Sequence, residues 1–283
     1  MGCGTEGRGI KSMKASQRLL VEQNIRYSRK AGSRGLLDRY RTASAEGRAA
    51  PLLLIHGGGW SSLSKERFAP IARWIAIRYQ LDVWCPNYRL LPHSAWPAPL
   101  IDCQAAAKFV RRMSGHEQIC LAGGSAGGHL ALLTGFELPR QQILGILSYG
   151  GPTVLEQRGR PVRPTFRPES IQRLFHGSLI TGRANERLCP ARHPSPGPPL
   201  ALVHSTGDKL VMPSHAQLMR HRYRQIDAPC RYFPFSGYGI HHGGWALRTK
   251  KGAAPALAQP FKAALHSALR FLYKSDLPHE TSS

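Results

Sequence analysis

Acidic residues are scarce in this sequence of 283 residues, which has 16 aspartates and glutamates against 39 lysines and arginines. The resulting formal charge of +23 would attract polyanions or anionic membranes. Long basic runs interleaved with aromatic residues are missing too, which argues against a dedicated nucleic-acid module. We therefore expect a basic, solvated surface with no specific nucleic-acid partner, and at most non-specific binding of polyanions.

Long apolar runs and paired cysteines are also absent. No stretch of 18 apolar residues occurs, so a membrane span is not expected. The N-terminal segment lacks an apolar core followed by a cleavage site, and Glu6 stands where a myristoylation pattern has Ser or Thr. The six cysteines form no Cys-x-x-Cys pair, so free thiols in a reducing, cytoplasmic compartment are expected.

What the sequence does contain is a serine among small residues, in the stretch Leu-Ala-Gly-Gly-Ser-Ala-Gly-Gly-His at 121–129. The Gly-x-Ser-x-Gly pattern predicts a strand at 118–122, a sharp turn at Ser125 and a helix at 126–136. Glycine-rich turns of this kind also bind phosphates or only permit tight packing. Ser125 would stand at the carboxyl end of a parallel sheet, above the positive end of a helix, where a nucleophile is placed.

A second glycine motif, His-Gly-Gly-Gly-Trp at 56–60, follows the apolar run 52–55 and precedes the serine in the chain. Successive glycines leave backbone N–H groups free to approach a substrate oxygen. The N–H groups of Gly57 and Gly58, together with that of Ala126, are therefore predicted to form an oxyanion hole.

Predicted strands and helices alternate along most of the chain, which indicates an α/β fold with a mostly parallel sheet covered by helices on both faces. We expect one domain at 15–275 with an insertion at 150–199 that is either a short cap or a long surface loop, a disordered segment at 1–14, and a loose tail at 276–283. The predicted strands are 36–40 at the sheet edge, 52–55, 82–86, 118–122, 143–149, 200–204 and 231–235, and the predicted helices are 19–27, 67–79, 100–113, 126–136, 169–175, 213–226 and 255–273.

Four further motifs accompany the two glycine motifs, and together they are spread over most of the chain. They are Leu-Asp-Arg-Tyr-Arg at 37–41, Asn-Tyr-Arg-Leu-Leu-Pro at 87–92, Ser-Thr-Gly-Asp-Lys-Leu-Val at 205–211 and His-His-Gly-Gly at 241–244. In these motifs the sequence resembles the α/β-hydrolase superfamily, in the esterase and lipase branch related to hormone-sensitive lipase. The resemblance implies the α/β-hydrolase fold. It also implies a catalytic triad in the chain order Ser, acid, His.

Asp208 is the candidate acid, because it follows the predicted strand 200–204 on the loop where this fold carries the acid. Its rival is Asp227, which lies at the end of a predicted helix, at the other edge of the sheet from the serine. Asp102 matches a position that is usually structural in the family the sequence resembles.

Two adjacent histidines follow the last predicted strand, and only one of them can face Ser125. His242 is followed by Gly243, as the catalytic histidine commonly is in the family, whereas His241 is not. We therefore favour His242 as the base, and expect His241 to point away because neighbouring residues on an extended loop face opposite sides.

These residues together predict hydrolysis of small or short-chain carboxylic esters, with Ser125 as nucleophile and His242 and Asp208 as its partners. An amidase acting on an aryl formamide would use the same groups, and a non-catalytic binder on the same fold is a further alternative. The histidines, cysteines and aspartates have no zinc-ligand spacing, so no metal or cofactor is expected. The oligomeric state is left open.

Overall fold

A computed structural model describes residues 18–45, 47–91, 93–155, 187–194, 197–236, 242 and 256–277. Within these residues eight strands form one sheet: β1 (Leu19–Arg26), β2 (Leu36–Thr42), β3 (Leu52–Ile55), β4 (Val83–Pro86), β5 (Ile119–Gly124), β6 (Ile143–Tyr149), β7 (Leu200–Ser205) and β8 (Cys230–Phe235). Their order is β1-β2-β4-β3-β5-β6-β7-β8. β2 is antiparallel to both β1 and β4, and all other neighbours are parallel. The predicted mostly parallel sheet is confirmed.

Five α-helices of the described residues cover the sheet: α1 (Ala69–Tyr79), α2 (Ala98–Ser114), α3 (Ala126–Glu137), α4 (Ser214–Gln225) and α5 (Gln259–Tyr273). Local chemistry sets some of their ends. α2 ends at Gly115, whose φ of 71° is left-handed and whose N–H donates to the Arg111 carbonyl at 3.1 Å. The predicted helix at 169–175 lies outside the described residues.

Both faces of the sheet are buried, and alternate residues of a central strand serve opposite faces. In β3, Leu53 and Ile55 belong to the core cluster beneath α2, α3 and α4, while Leu52 and Leu54 belong to the cluster beneath α1 and α5. Burial on both faces explains why this strand reads as a continuous apolar run. Each such side chain contributes about 1.5 to 3 kcal/mol on removal from water.

The strand register brings the carboxyl ends of the central strands to one edge. Ile55 of β3 pairs with Gly123 of β5, Gly124 pairs with Tyr149 of β6, and Tyr149 pairs with Val203 of β7. The loops that follow β3, β5 and β7 therefore leave the sheet side by side. The two glycine motifs and the predicted acid all lie on these loops.

The prediction of a helix at 19–27 is wrong, because these residues form β1. Short apolar runs fit a strand as well as a helix, and the open edge of β2 supplies the backbone partners that decide between them. Leu19 and Val21 pack partly buried against the core, and the register then shifts between Glu22 and Ile25. At this irregularity Asn24 has a φ of 58°, and its N–H donates to Oδ1 of Asp38 at 2.8 Å.

Two smaller expectations also need correction. The strand predicted at 36–40 exists as β2, but it is second from the edge because β1 covers it. The helix predicted at 100–113 exists as α2 but is longer at both ends, and Met113 near its C-terminal end is 54% exposed. α2 instead buries its small residues Cys103, Ala106, Ala107 and Val110, which allow the helix to lie close to the sheet.

Candidate active site

Ser125 occupies the turn between β5 and α3. Its φ of 55° lies in the left-handed region, and its N–H donates to the Tyr149 carbonyl at 3.0 Å. Neighbouring glycines leave no room for side chains: a Cβ on Gly124 would overlap the Tyr149 ring, and one on Gly127 would overlap the Ile55 carbonyl oxygen. The strained serine and its glycine neighbours therefore form one tightly packed turn, as the motif predicts.

Three predicted site residues from distant parts of the chain meet here. Nε2 of His242 lies 2.7 Å from Oγ of Ser125, and its Nδ1 lies 2.8 Å from Oδ2 of Asp208. Both contacts are hydrogen bonds, and both distances fall within the range required of a general base and its orienting carboxylate. His241 lies outside the described residues, so its predicted orientation stays a prediction.

The glycine loop after β3 lies directly against this serine. A Cβ on Gly57 would come 2.8 Å from the Gly124 carbonyl oxygen and 3.2 Å from the Ser125 Cβ. Gly58 and Gly59 have φ values of 106° and 57°, which non-glycine residues rarely adopt. Within the described residues, the N–H groups of Gly57, Gly58 and Ala126 donate no hydrogen bond. Two of these N–H groups thus lie on the glycine loop that packs against Ser125, and the third belongs to the residue directly after Ser125.

Known esterases and lipases are similar to this chain in sequence and in fold. A family model described as BD-FAE matches residues 37–158. The chain is 25% identical to the versiconal hemiacetal acetate esterase stcI of Emericella nidulans, over 77% of this chain and 78% of that protein. It is similar in structure to esterase 2 of Thermogutta terrifontis, with a TM-score of 0.73, 21% identity, and coverage of 92% and 97%. A hormone-sensitive lipase from a metagenome library superposes with a TM-score of 0.62 at 18% identity, over 77% of this chain and 76% of that one.

The chain has the α/β-hydrolase fold, and it is similar to proteins of the esterase and lipase branch of that superfamily. The resemblance drawn from the sequence motifs is confirmed. Alignments to three further curated esterases span 56% to 62% of the length of those proteins.

In this α/β-hydrolase the carboxylate of Asp208 is buried and well supplied with donors. Oδ1 accepts the N–H groups of Leu210 and Val211, both at 2.9 Å, while Oδ2 faces His242 and lies 3.6 Å from Nε2 of His204. Burial raises the pKa of this carboxyl, but the interactions with His204, His242 and the Val211 N–H outweigh it and hold the pKa below its usual range. Asp208 is therefore ionised at neutral pH.

Two other aspartates take no part in this arrangement. Asp227 follows α4 in an exposed turn with a φ of 49°, at the end of the sheet where β8 begins. Asp102 on α2 is paired with Arg89 through Nε at 2.8 Å and Nη2 at 2.7 Å, and it also accepts the Arg89 N–H at 2.9 Å. Such a bidentate pair holds the chain after β4 against α2. This agrees with the structural role implied for Asp102.

Sequence reasoning missed several residues around the site. His204 lies on β7; its Nε2 donates to the Val211 carbonyl at 2.8 Å and also approaches Asp208. Arg34 and Tyr88 contact the glycine loop through His56. No local pattern marks Arg34, and the motif at 87–92 that contains Tyr88 assigns that residue no role at the site; each reaches the site from a different element.

Within the described ranges, no cluster of three or more His, Cys, Asp and Glu side chains could hold a metal ion. His129 on α3 is fully buried and donates from Nε2 to the Leu188 carbonyl at 2.9 Å, and burial lowers its pKa to about 4. Five cysteines in this part of the chain have free thiols. No helix found there is long and apolar enough to cross a membrane.

Proposed function

We propose that this α/β-hydrolase hydrolyses carboxylic esters of small or short-chain acyl groups through an acyl-enzyme intermediate. The observation that carries the proposal is the hydrogen-bonded series Asp208, His242, Ser125, with distances of 2.8 and 2.7 Å. The curated relatives described above are esterases, which favours esters as the substrate class. One of them is named for an acetate ester, which favours a short acyl group.

In the proposed first step, Oγ of Ser125 attacks the ester carbonyl carbon while its proton passes to Nε2 of His242. The carbonyl π electrons move to the oxygen, which becomes an oxyanion. When the tetrahedral intermediate collapses, the C–O bond to the alcohol breaks, and His242 returns the proton to the leaving alkoxide. Water then attacks the acyl-enzyme with the same base, and releases the acid and free Ser125.

Asp208 serves this cycle through His242. An ionised carboxylate at Nδ1 fixes the imidazole tautomer whose Nε2 can accept a proton, and it stabilises the imidazolium that forms. The unused N–H groups of Gly57, Gly58 and Ala126 are the proposed donors to the oxyanion. Loss of one such donor typically lowers turnover about 100- to 1000-fold.

The proposed function is tested with p-nitrophenyl esters of increasing acyl length and with N-formylkynurenine, each assayed with wild type and Ser125→Ala. We expect turnover of the shorter esters, and its loss in the variant without a change in thermal unfolding. Preference for the formamide would move the assignment to an arylformamidase-like amidase. Absence of any Ser125-dependent turnover would favour a non-catalytic binder on the same fold.

A second candidate property, non-specific polyanion binding, is favoured by the charges around α4. This helix has no acidic residue, and it exposes Arg220 and Arg224 beside the exposed Arg231 of β8. Among the described residues, none of the three arginines has an ion-pair partner. Basic side chains of β2 and α1's flanking turn, by contrast, pair with acidic neighbours.

This property is tested on a heparin column with the double variant Arg220→Gln/Arg224→Gln. We expect it to elute at lower salt than Arg26→Gln/Arg48→Gln, which removes the same charge from another surface. Equal shifts for the two variants would mean that retention follows net charge alone.

A further inference from the structure

Arg34 reaches the glycine loop from the turn between β1 and β2, where no motif marks it. Its Nε donates to the Tyr88 carbonyl at 2.9 Å, and its Nη2 to the Leu63 carbonyl at 3.0 Å. The same Nη2 lies 3.2 Å from Nε2 of His56, the residue before the three glycines. One guanidinium thus connects the loop after β3, the loop after β4 and the His56 ring.

The contacts with Arg34 and with the Gly57 carbonyl together decide which nitrogen of His56 carries the proton. A guanidinium is always protonated and can only donate, so Nε2 of His56 must accept. The proton of the neutral ring therefore sits on Nδ1, which donates to the Gly57 carbonyl at 2.7 Å. Burial is the main cause that lowers the pKa of His56, to about 3; the hydrogen bond to Gly57 and the charge of Glu66 oppose this, and the charge of Arg34 acts in the same direction as burial. His56 is thus neutral in the working pH range.

Peptide geometry carries this hydrogen bond to the proposed oxyanion donors. A trans peptide points its carbonyl and the following N–H in opposite directions within one plane. The Gly57 carbonyl shares its plane with the Gly58 N–H, so a bond from His56 to that carbonyl aims the Gly58 N–H the opposite way. The His56 carbonyl shares its plane with the Gly57 N–H in the same manner.

Tyr88 holds both peptide planes from the same side. Its hydroxyl lies 3.0 Å from the His56 carbonyl oxygen and 3.3 Å from that of Gly57, and its ring is stacked on His56 with centroids 4.2 Å apart. Arg34 in turn binds the backbone carbonyl of Tyr88. Each plane that presents a proposed donor is therefore held at its carbonyl end.

We propose that Arg34 is a positioning residue for ester hydrolysis: it fixes the Nδ1–H tautomer of His56 and thereby aims the Gly57 and Gly58 N–H groups at the oxyanion. The inference rests on the proposed function for its kinetic consequence. It places Arg34 outside the set of residues that touch the substrate, since Arg34 acts through His56 and Tyr88.

The kinetic test compares Arg34→Met with Arg26→Met. Arg26 lies on the adjacent strand and donates to the Gly32 carbonyl at 3.0 Å, so its variant removes the same charge near the same turn without touching His56. We expect Arg34→Met to lower kcat about 10- to 100-fold with KM changed less than about threefold, because a misaimed donor costs less than a deleted one and acts in the transition state. Arg26→Met should match wild type.

A pH profile separates this role from simple packing. Without Arg34, His56 keeps the Gly57 carbonyl, Glu66 and the Tyr88 and Phe68 rings among its described neighbours, so its pKa should rise. Toward acid pH, kcat of Arg34→Met should fall more steeply than kcat of wild type or of Arg26→Met. An unchanged profile, or a kcat within twofold of the Arg26→Met value, would overturn the inference.

The tautomer is also measurable without any substrate. Selective 15N labelling of histidines, with His56→Gln for assignment, should report the Nδ1–H form in wild type and a mixture of tautomers in Arg34→Met. Should Arg34→Met fold poorly, Tyr88→Phe removes only the hydroxyl that contacts the His56 and Gly57 carbonyl oxygens, and it should lower kcat in the same way. An Nε2–H tautomer in wild type would refute the inference. Lack of ester turnover in wild type would instead refute the proposed function, and the tautomer measurement would still judge the clamp.

Discussion

Asp208→Asn is the change whose outcome follows most directly from the hydrogen bonds of the site. The Asn amide oxygen can replace Oδ1 and accept the N–H groups of Leu210 and Val211, now both at 2.9 Å from the carboxylate. The amide NH₂ then takes the place of Oδ2 and faces Nδ1 of His242. Since an NH₂ group donates, Nδ1 must become an acceptor, and the ring proton moves to Nε2.

This tautomer cannot perform the proposed step, because Nε2–H donates to Ser125 instead of accepting its proton. Substitution of this kind in a triad lowers turnover about 10,000-fold, which corresponds to about 5 kcal/mol of transition-state stabilisation. The fold should persist, since both backbone N–H groups keep an acceptor and the two side chains have equal size. We expect kcat to fall by this amount and KM to change little.

The assay is steady-state hydrolysis of a short-chain p-nitrophenyl ester, with Asp227→Asn as the matched control. Asp227 lies in an exposed turn after α4, so its variant carries the same chemical change outside the site. A loss below about tenfold in Asp208→Asn, or equal losses in both variants, would refute the tautomer reasoning.

Two further outcomes follow from the packing of the site and core. Gly57→Ala should lower kcat about 100-fold with little change in KM, because the new Cβ would lie 2.8 Å from the Gly124 carbonyl oxygen and push the proposed donors away; normal kinetics would contradict this. Burial lowers the pKa of His56 to about 3 and of His129 and His215 to about 4, so the unfolded chain binds more protons below about pH 6.5. Urea unfolding should therefore show a loss of about 2 kcal/mol per histidine between pH 6.5 and pH 5, and a pH-independent stability would contradict it.

The parts of the site that were predictable from sequence are those whose chemistry is local. A serine at a left-handed turn needs glycines on both sides, so the pattern around Ser125 carries its own structural reason. Gly58 and Gly59 likewise have backbone angles that other residues rarely adopt. The strands at 52–55 and 143–149 are likewise marked by their own apolar residues, and they were predicted with their bounds as found.

The parts that were missed depend on partners distant in sequence. Arg34 lies 22 residues before His56 in the sequence and reaches it only because the turn between β1 and β2 packs against the loop after β3. α2 is longer at both ends than the predicted 100–113, because apolar spacing does not mark the residue at which a helix begins or ends. The insertion at 150–199 has residues 156–186 outside the described part, so the choice between a cap and a surface loop stays a prediction.

The wrong prediction of a helix at 19–27 and the missed contact of Arg34 have one physical origin. β1 and β2 form an antiparallel pair, and the turn between them carries Arg34 to the glycine loop. From β2 itself, Asp38 forms a buried ion pair with Lys65 at 2.8 Å, and Lys65 donates its backbone N–H to Asn87 at 2.8 Å. Removing one partner of a buried pair leaves an uncompensated charge, which typically costs about 3 to 5 kcal/mol. The antiparallel pair therefore anchors the loop that bears the proposed oxyanion donors at two points, Arg34 and Asp38. A helix at 19–27 could not have paired with β2, and reading the segment as a helix hid the contacts that the turn makes.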